Sequence, residues 1–417
     1  MSNEENYEDM IIALGKGIAP NNNVKLICLG RDKEIEEINI ILDKVAEGKA
    51  FTKFINGEYG AGKSFFLKVI EEIAYEKNFV VSKISCSNNL PFNKIDVVYK
   101  NIVKNLKDKN GYNLESIINN WLRKLKIKSC EELDISKQDQ KLQEYILKGL
   151  DEARKYSNSF VQAVSGYYKL ISENQPEEAS IAMAWLRGDS NIPASSKKLF
   201  NVKGDVNKEN AIDFIEALSA FIKSIGYSGL VILIDEAEDT MQLHTQKIRD
   251  TAYNYIRDIY DDCSFNKFKN TLFIFAGTPQ FFEDDRKGIA SYGALNDRIS
   301  DTLNCTKRNI RKPIINLEGF NRNDLTEISN KIMTMHGSVY KWDPHTIYDP
   351  VLEDILNIQY EDAALTGGLV TPRKFIKLFV ESLDIVEQNP DEYNSPEDLL
   401  SLFVNENSLD DELEDDW

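Results

Sequence analysis

Apolar and polar positions alternate along this chain in two rhythms. Short segments dense in Val, Ile, Leu and Phe occur at Phe51 to Asn56, Phe79 to Ser85, Gly229 to Ile234, Thr271 to Ala276 and near Pro313 to Leu317, and each predicts a strand. Leu230 to Ile234 and Leu272 to Ala276 contain no polar residue, which suits central parallel strands covered on both faces. Elsewhere apolar residues return at every third or fourth position, the period of a helix packed on one side. That rhythm holds from Asp32 through Ile41, Leu42 and Val45, then over 97–106, 114–125, 138–153, 160–171, 178–186, 211–225 and about 245–261. From Asn321 onward the pattern is helical again, with Asp324 opening one helix and Pro372 in the first turn of another.

Strands separated by helices predict an α/β fold, a parallel sheet with helices on both faces. The organisation read from these segments is an N-terminal segment with a helix (1–50), a core (51–320) interrupted by a large helical insertion at about 90–200, a small helical lid (321–404) and an acidic tail (405–417). No internal repeat is visible.

Composition narrows the class. With 417 residues, 42% hydrophobic and 28% charged, the chain suits two to three globular domains. No apolar run has membrane length, and the polar, acidic start Met1-Ser2-Asn3-Glu4-Glu5 is neither a signal nor a transit peptide, so the cytoplasm is the expected location. The five cysteines are scattered, never spaced C-x-x-C, and read as reduced thiols; His244, His336 and His345 form no metal-ligating spacing. A formal net charge of −18 excludes a protein that coats nucleic acid through global charge. Two local basic patches, Arg123-Lys124-Leu125-Lys126-Ile127-Lys128 and Lys307-Arg308-Asn309-Ile310-Arg311-Lys312, are either DNA contacts or solvated faces.

Candidate chemistry begins at the end of the first predicted strand. Gly57-Glu58-Tyr59-Gly60-Ala61-Gly62-Lys63-Ser64 fits G-x-x-x-x-G-K-[ST] between that strand and a helix. Gly57, Gly60 and Gly62 let the backbone close around anionic oxygens, Lys63 reaches terminal phosphates, and the Ser64 hydroxyl is a Mg²⁺ ligand. This is a loop for ATP. The run ending Ile234-Asp235-Glu236 supplies the complementary acids: Asp235 for Mg²⁺, Glu236 as the base that orients and deprotonates water. Thr278 closes the strand 271–276 with a polar group that could feel the γ-phosphate, although any strand-ending Thr would look the same.

The order Gly30-Arg31-Asp32-Lys33-Glu34, phosphate loop, Asp235-Glu236, Gly277-Thr278-Pro279, Leu295-Asn296-Asp297-Arg298-Ile299 and Thr371-Pro372-Arg373 resembles AAA+ ATPases of the origin-recognition type. A P-loop kinase would lack the last two arginines on a helical lid. Together with Ala13 to Pro20, Trp185-Leu186-Arg187-Gly188 and Gly226 to Leu230, these residues resemble the ATP-binding proteins of bacterial BREX phage-defence systems, the BrxC/BrxD-type group, BrxD more closely. The resemblance covers most of the chain. It implies that Arg31 lies against adenine, Arg373 acts as a lid arginine on the phosphates, and Arg298 is offered to a neighbouring subunit of an oligomer. It also implies work on DNA beside a helicase or other defence-system protein. Initiators of that type add a winged helix after the lid, and the acidic tail leaves few residues for one here. Two other readings stay open: a slow nucleotide switch or scaffold that recruits a helicase or nuclease, and a small-molecule phosphotransferase.

Overall fold

The computed structural model describes residues 3–20, 22–87, 90–131, 135–300, 309–365, 370–393 and 395–404. The acidic tail, Cys305, and Lys307 and Arg308 of the second basic patch lie outside the described residues. Contacts divide the chain into two compact units, one drawn from 34–56 and 73–315, the other from 1–33, 57–72 and 316–417.

The first unit holds the sheet. Its strands are β1 (Ala50–Asn56), β2 (Val80–Ser85), β3 (Leu106–Lys107), β4 (Leu230–Asp235), β5 (Thr271–Gly277) and β6 (Ile314–Asn316), in the order β3-β2-β4-β5-β1-β6. β2–β4, β4–β5 and β5–β1 are parallel pairs, and β2–β3 is antiparallel. Every residue of β4 and β5 is buried, as their unbroken apolar sequence requires. The α/β class read from the sequence is therefore the class observed.

Seven helices among the described residues lie between β2 and β4: Ile95–Asn105, Leu114–Ser129, Ile135–Arg154, Asn158–Ser172, Pro176–Leu186, Ala194–Leu199 and Ala211–Ser224. They do not form a separate core. The helix Ala211–Ser224 is apolar on most sides, with Ala211, Phe214, Ile215, Ala217, Leu218, Phe221 and Ile222 buried, so it packs on its neighbours in more than one direction. Phe214 meets the rings of Tyr99 at 5.5 Å, Trp185 at 5.7 Å and Phe160 at 6.3 Å, while Phe221 meets Trp121 at 5.3 Å. These residues share one hydrophobic cluster with Phe54, Ile84, Ile232 and Phe275 of the sheet. The helical segment is thus fused to the sheet by burial of common apolar surface.

β1 also carries a buried lysine. Lys53 Nζ donates to the carbonyls of Ile310, Arg311 and Lys312 at 3.2, 3.1 and 2.7 Å and pairs with Glu37 at 3.3 Å. Burial lowers its pKa, with Glu37 opposing that shift. The arrangement ties the segment entering β6 to the strand that precedes the phosphate loop.

The second unit is helical. Asn3–Gly15 packs against Arg322–Tyr340 and Pro372–Gln388, and Leu352–Leu365 joins them. Its core combines Met10, Ile11 and Leu14 with Ile328, Ile332, Ile355, Phe375, Phe379 and Leu383. The helix Arg322–Tyr340 starts with a capping box between Asn321 and Asp324. Gly30, at φ +66°, fits against this cap: a Cβ there would lie 2.7 Å from Asp324 Oδ1. His336 is fully buried; Trp342 Nε1 donates to its Nδ1 at 2.9 Å, so Nε2 carries the proton shared with Asp384 at 3.1 Å. No helix of the described residues is long and apolar enough to cross a membrane.

Candidate functional site

The residues singled out by sequence fall into two sets, one in each unit. In the sheet unit, parallel register brings three strand ends level: Asn56 of β1 pairs with Gly277 of β5, and Ile234 of β4 pairs with Phe275 of β5. Asp235 and Glu236 therefore end β4 on the carboxyl edge of the sheet, and Thr278 follows β5 on the same edge. Open parallel sheets bind ligands at that edge.

Asp235 is nearly buried, at 5% exposure, and each oxygen is engaged. Oδ1 accepts the Glu236 N–H at 3.1 Å, and Oδ2 faces the Lys83 ammonium at 3.6 Å. Glu236 is exposed and sits at φ +55°, ψ +38°, a left-handed conformation that side-chain-bearing residues seldom adopt. Such backbone persists where surrounding structure over-determines it, and here it turns the chain sharply so that the carboxylate meets Ser85, whose Oγ donates to Oε2 at 2.8 Å. Behind it, Asp239 has a raised pKa, first from burial and then from the charge of Glu236. Thr278 is buried at 2% and precedes the short helix Pro279–Glu283 without capping it through its side chain. Arg298, near the end of the helix Gly293–Ile299, pairs through Nε with Asp261 at 2.6 Å and donates through Nη1 to the Ala294 carbonyl. This acidic partner comes from the helix Gln246–Ser264.

The helical unit holds the phosphate loop. The chain passes from Asn56 directly into Gly57, and the loop ends at the helix Lys63–Glu76. Gly60 and Gly62 take φ +80° and +89°, values that glycine alone adopts without strain. A Cβ on Gly60 would lie 3.1 Å from Thr371 Cβ, whereas at Gly62 nothing comes within 4 Å and the space above the helix start is open. Phe66 N–H donates to the Gly62 carbonyl at 2.8 Å, so the hydrogen-bond ladder of the helix starts from the loop itself. Lys63 curls over its own loop: Nζ donates to Gly57 O at 2.8 Å and Glu58 O at 3.2 Å, and stands 5.1 Å from the centre of the Tyr59 ring. Ser64 is exposed on the first turn. A glycine turn at a helix N-terminus, a lysine at hand and the positive end of the helix macrodipole fit a polyphosphate. For Mg²⁺ the donor types are suitable: an exposed hydroxyl on Ser64 in one unit and the carboxylate of Asp235 in the other.

Arg373 is exposed in the first turn of Pro372–Gln388, two residues after the Thr371 that touches Gly60, and its Nε lies 3.4 Å from where a Gly17 Cβ would be. Arg31 is buried instead. Its Nη2 donates to Glu318 O at 2.5 Å, and its guanidinium stands 5.6 Å from the centre of the Phe320 ring. Glu72, on the loop's helix, accepts the amides of Val24 at 3.0 Å and Lys25 at 3.3 Å and so anchors the segment that leads to Arg31.

Sequence reasoning missed Ser85 and Lys83. The signal was available: Ser85 is the last polar residue of a predicted strand, and in a parallel pair it stands level with Asp235.

Comparison with curated proteins gives no match. The family model described as BREX system ATP-binding protein BrxC/D matches residues 3–401, a span that includes the phosphate loop, the Asp235-Glu236 strand end and the helix bearing Arg373. The chain belongs to this family of ATP-binding proteins of a phage-defence system.

Proposed function

We propose that this protein is an AAA+ ATPase related to origin-recognition initiators, closer to BrxD than to BrxC, that binds and hydrolyses Mg-ATP. Lys63 and the amides of the loop hold the β- and γ-phosphates. Ser64 and Asp235 hold Mg²⁺, which neutralises charge on the phosphoryl group when bound. Glu236 takes a proton from water; the water oxygen bonds to the γ-phosphorus as the bond to the β–γ bridging oxygen breaks, releasing ADP and phosphate. Thr278 positions that water, and Arg373 and Arg31 serve the phosphate and adenine ends. The helices after Asn321 act as a lid, the segment at about 90–200 as an insertion for partners, and Arg298 as a residue offered across an oligomer. The protein works in the cytoplasm with a helicase or another defence-system protein on DNA, contacted through Arg123, Lys124, Lys126 and Lys128, which are all exposed.

The observation that supports this most is the level carboxyl edge of β1, β5 and β4, with an acid pair on one strand and the phosphate loop continuing from another. A slow switch is the second reading, favoured by the hydroxyl of Ser85, which holds the proposed base. Titration with a fluorescent ATP analogue, together with phosphate release, tests the assignment. Lys63→Ala should lose binding, while Glu236→Gln should bind and not turn over. Wild-type affinity in the first variant, or wild-type turnover in the second, would overturn it.

A further inference from the structure

Asp235 ends β4 with a cation already facing it. In the parallel pair β2–β4, Lys83 stands level with Leu233 and Ser85 with Asp235. Side chains two residues apart on a strand share one face, so Lys83 and Ser85 lie on the side of the sheet to which Asp235 points. The four-carbon stem of Lys83 runs toward the strand end and brings Nζ to 3.6 Å from Asp235 Oδ2. Asp235 Oδ1 accepts the Glu236 amide at 3.1 Å, which leaves Oδ2 as the oxygen turned to the ammonium.

The two partners differ in burial. The Asp235 side chain is 8% exposed and that of Lys83 is 31% exposed. The carboxylate is shut off from water, whereas the ammonium has solvent beside it to withdraw into. The turn that follows adds Glu236, Glu238 and Asp239 to the same strand end, so negative charge accumulates there. A carboxylate taken out of water is costly unless it is paired, and Lys83 supplies the pairing charge. An ammonium this close repels a divalent cation that shares the same oxygen. Lysine is a compact charge on a flexible stem, so Nζ can leave Oδ2 without any movement of β2.

We infer that Lys83 is the internal counter-ion of Asp235, a positioning residue that holds the carboxylate ready before Mg²⁺ binds and withdraws when it does. Its charge then sets how strongly nucleotide binding depends on the metal. The inference rests on the reading of Asp235 as a Mg²⁺ residue of an ATP site, and gives a role to a lysine which that reading leaves without one.

The test is binding of a fluorescent, non-hydrolysable ATP analogue to the full chain in EDTA and across a Mg²⁺ series, with Tm recorded in the same buffers. Lys83→Met keeps the stem and removes the charge. It should bind the analogue as wild type does in EDTA, and its gain in affinity on adding Mg²⁺ should exceed the wild-type gain about tenfold, an ordinary size for coupling between two bound charges. Its Tm should fall below that of wild type in EDTA and recover with analogue and Mg²⁺, while Lys83→Arg should follow wild type throughout. In an Asp235→Asn background the same replacement should no longer lower Tm, a comparison that stays measurable if Lys83→Met folds poorly without metal. An unchanged Mg²⁺ gain in Lys83→Met, with Tm lowered equally in EDTA and in Mg²⁺, would make the contact a structural ion pair and overturn the inference while the ATP reading stands. Weaker analogue binding by Lys83→Met in EDTA would also overturn it, because the lysine would then be a phosphate contact. No binding of the analogue by the wild-type chain, with or without Mg²⁺, would overturn the ATP reading and the inference with it.

Discussion

Replacing Ser85 by alanine isolates how Glu236 is restrained. Ser85 Oγ donates to Glu236 Oε2 at 2.8 Å, and while that bond stands the carboxylate is turned toward β2. If that orientation turns both oxygens away from the water, the base must give up the hydroxyl before it takes the proton. A neutral donor on an ionised acceptor contributes about 1.5–3 kcal/mol when shielded. Both side chains are exposed here and water can replace the donor, so about 1 kcal/mol is the appropriate figure. If the bond must break before chemistry, its removal lowers the barrier by that amount, about fivefold in rate. Steady-state phosphate release at saturating Mg-ATP should therefore show kcat rising about fivefold in Ser85→Ala, with nucleotide affinity unchanged. Ser85→Thr, which keeps a hydroxyl, should stay near wild type. A tenfold fall in kcat at constant KM would refute the reasoning, because Ser85 would then be placing Glu236 for reaction instead of holding it back.

Two further outcomes are expected. Glu216, at 3% exposure beside Asp213, Asp262, Lys267 and Tyr156, has its pKa pushed up to about 7, mainly by burial. The native chain therefore holds a proton that the unfolded chain releases above the ordinary glutamate value of 4.5, so stability is greatest below that pH and falls as pH rises to about 7. Glu216→Gln should remove this dependence, and its Tm should exceed that of wild type by more at pH 8 than at pH 5; a constant difference would contradict the buried charge. Arg298→Ala should bind ATP normally and hydrolyse it poorly if its guanidinium serves a neighbouring subunit, with a loss on the order of a thousandfold. Mixing it with Glu236→Gln should restore turnover; no recovery, with a monomer by light scattering in saturating ATP, would exclude action between copies.

Much of the fold was legible because its signals are local. Glycine spacing and Lys63 mark the loop, and unbroken apolar runs mark β4 and β5, whose burial on both faces leaves no place for polar residues. Six of the seven helices described between β2 and β4 follow from period alone, within a few residues at each end, while the short helix Ala194–Leu199, with no buried residue, shows no apolar period. Other features depend on partners far away in sequence. Nothing near Arg31 announces that it binds the carbonyl of Glu318, and Lys53 reads as an ordinary polar strand residue until three carbonyls converge on it. β3 has two residues, too few to carry a period. The positive φ of Glu236 was also invisible, since a glutamate gives no local reason to expect a left-handed turn.

The helical unit draws on the first residues of the chain, the phosphate loop with its helix start, and the last hundred or so residues. During synthesis the helix Asn3–Gly15 and the phosphate loop emerge before the sheet unit, while Ile328, Phe379 and Leu383, which complete the core over Met10 and Leu14, emerge after it. Domains generally fold as units once their sequence is available, and contacts this distant close slowly. A nascent or C-terminally shortened chain therefore carries a complete nucleotide-binding motif whose supporting core has not formed. Competence for ATP is expected to arrive only once Ile328, Phe379 and Leu383 are available, so copies of this defence protein cut before Arg322 should be silent toward nucleotide.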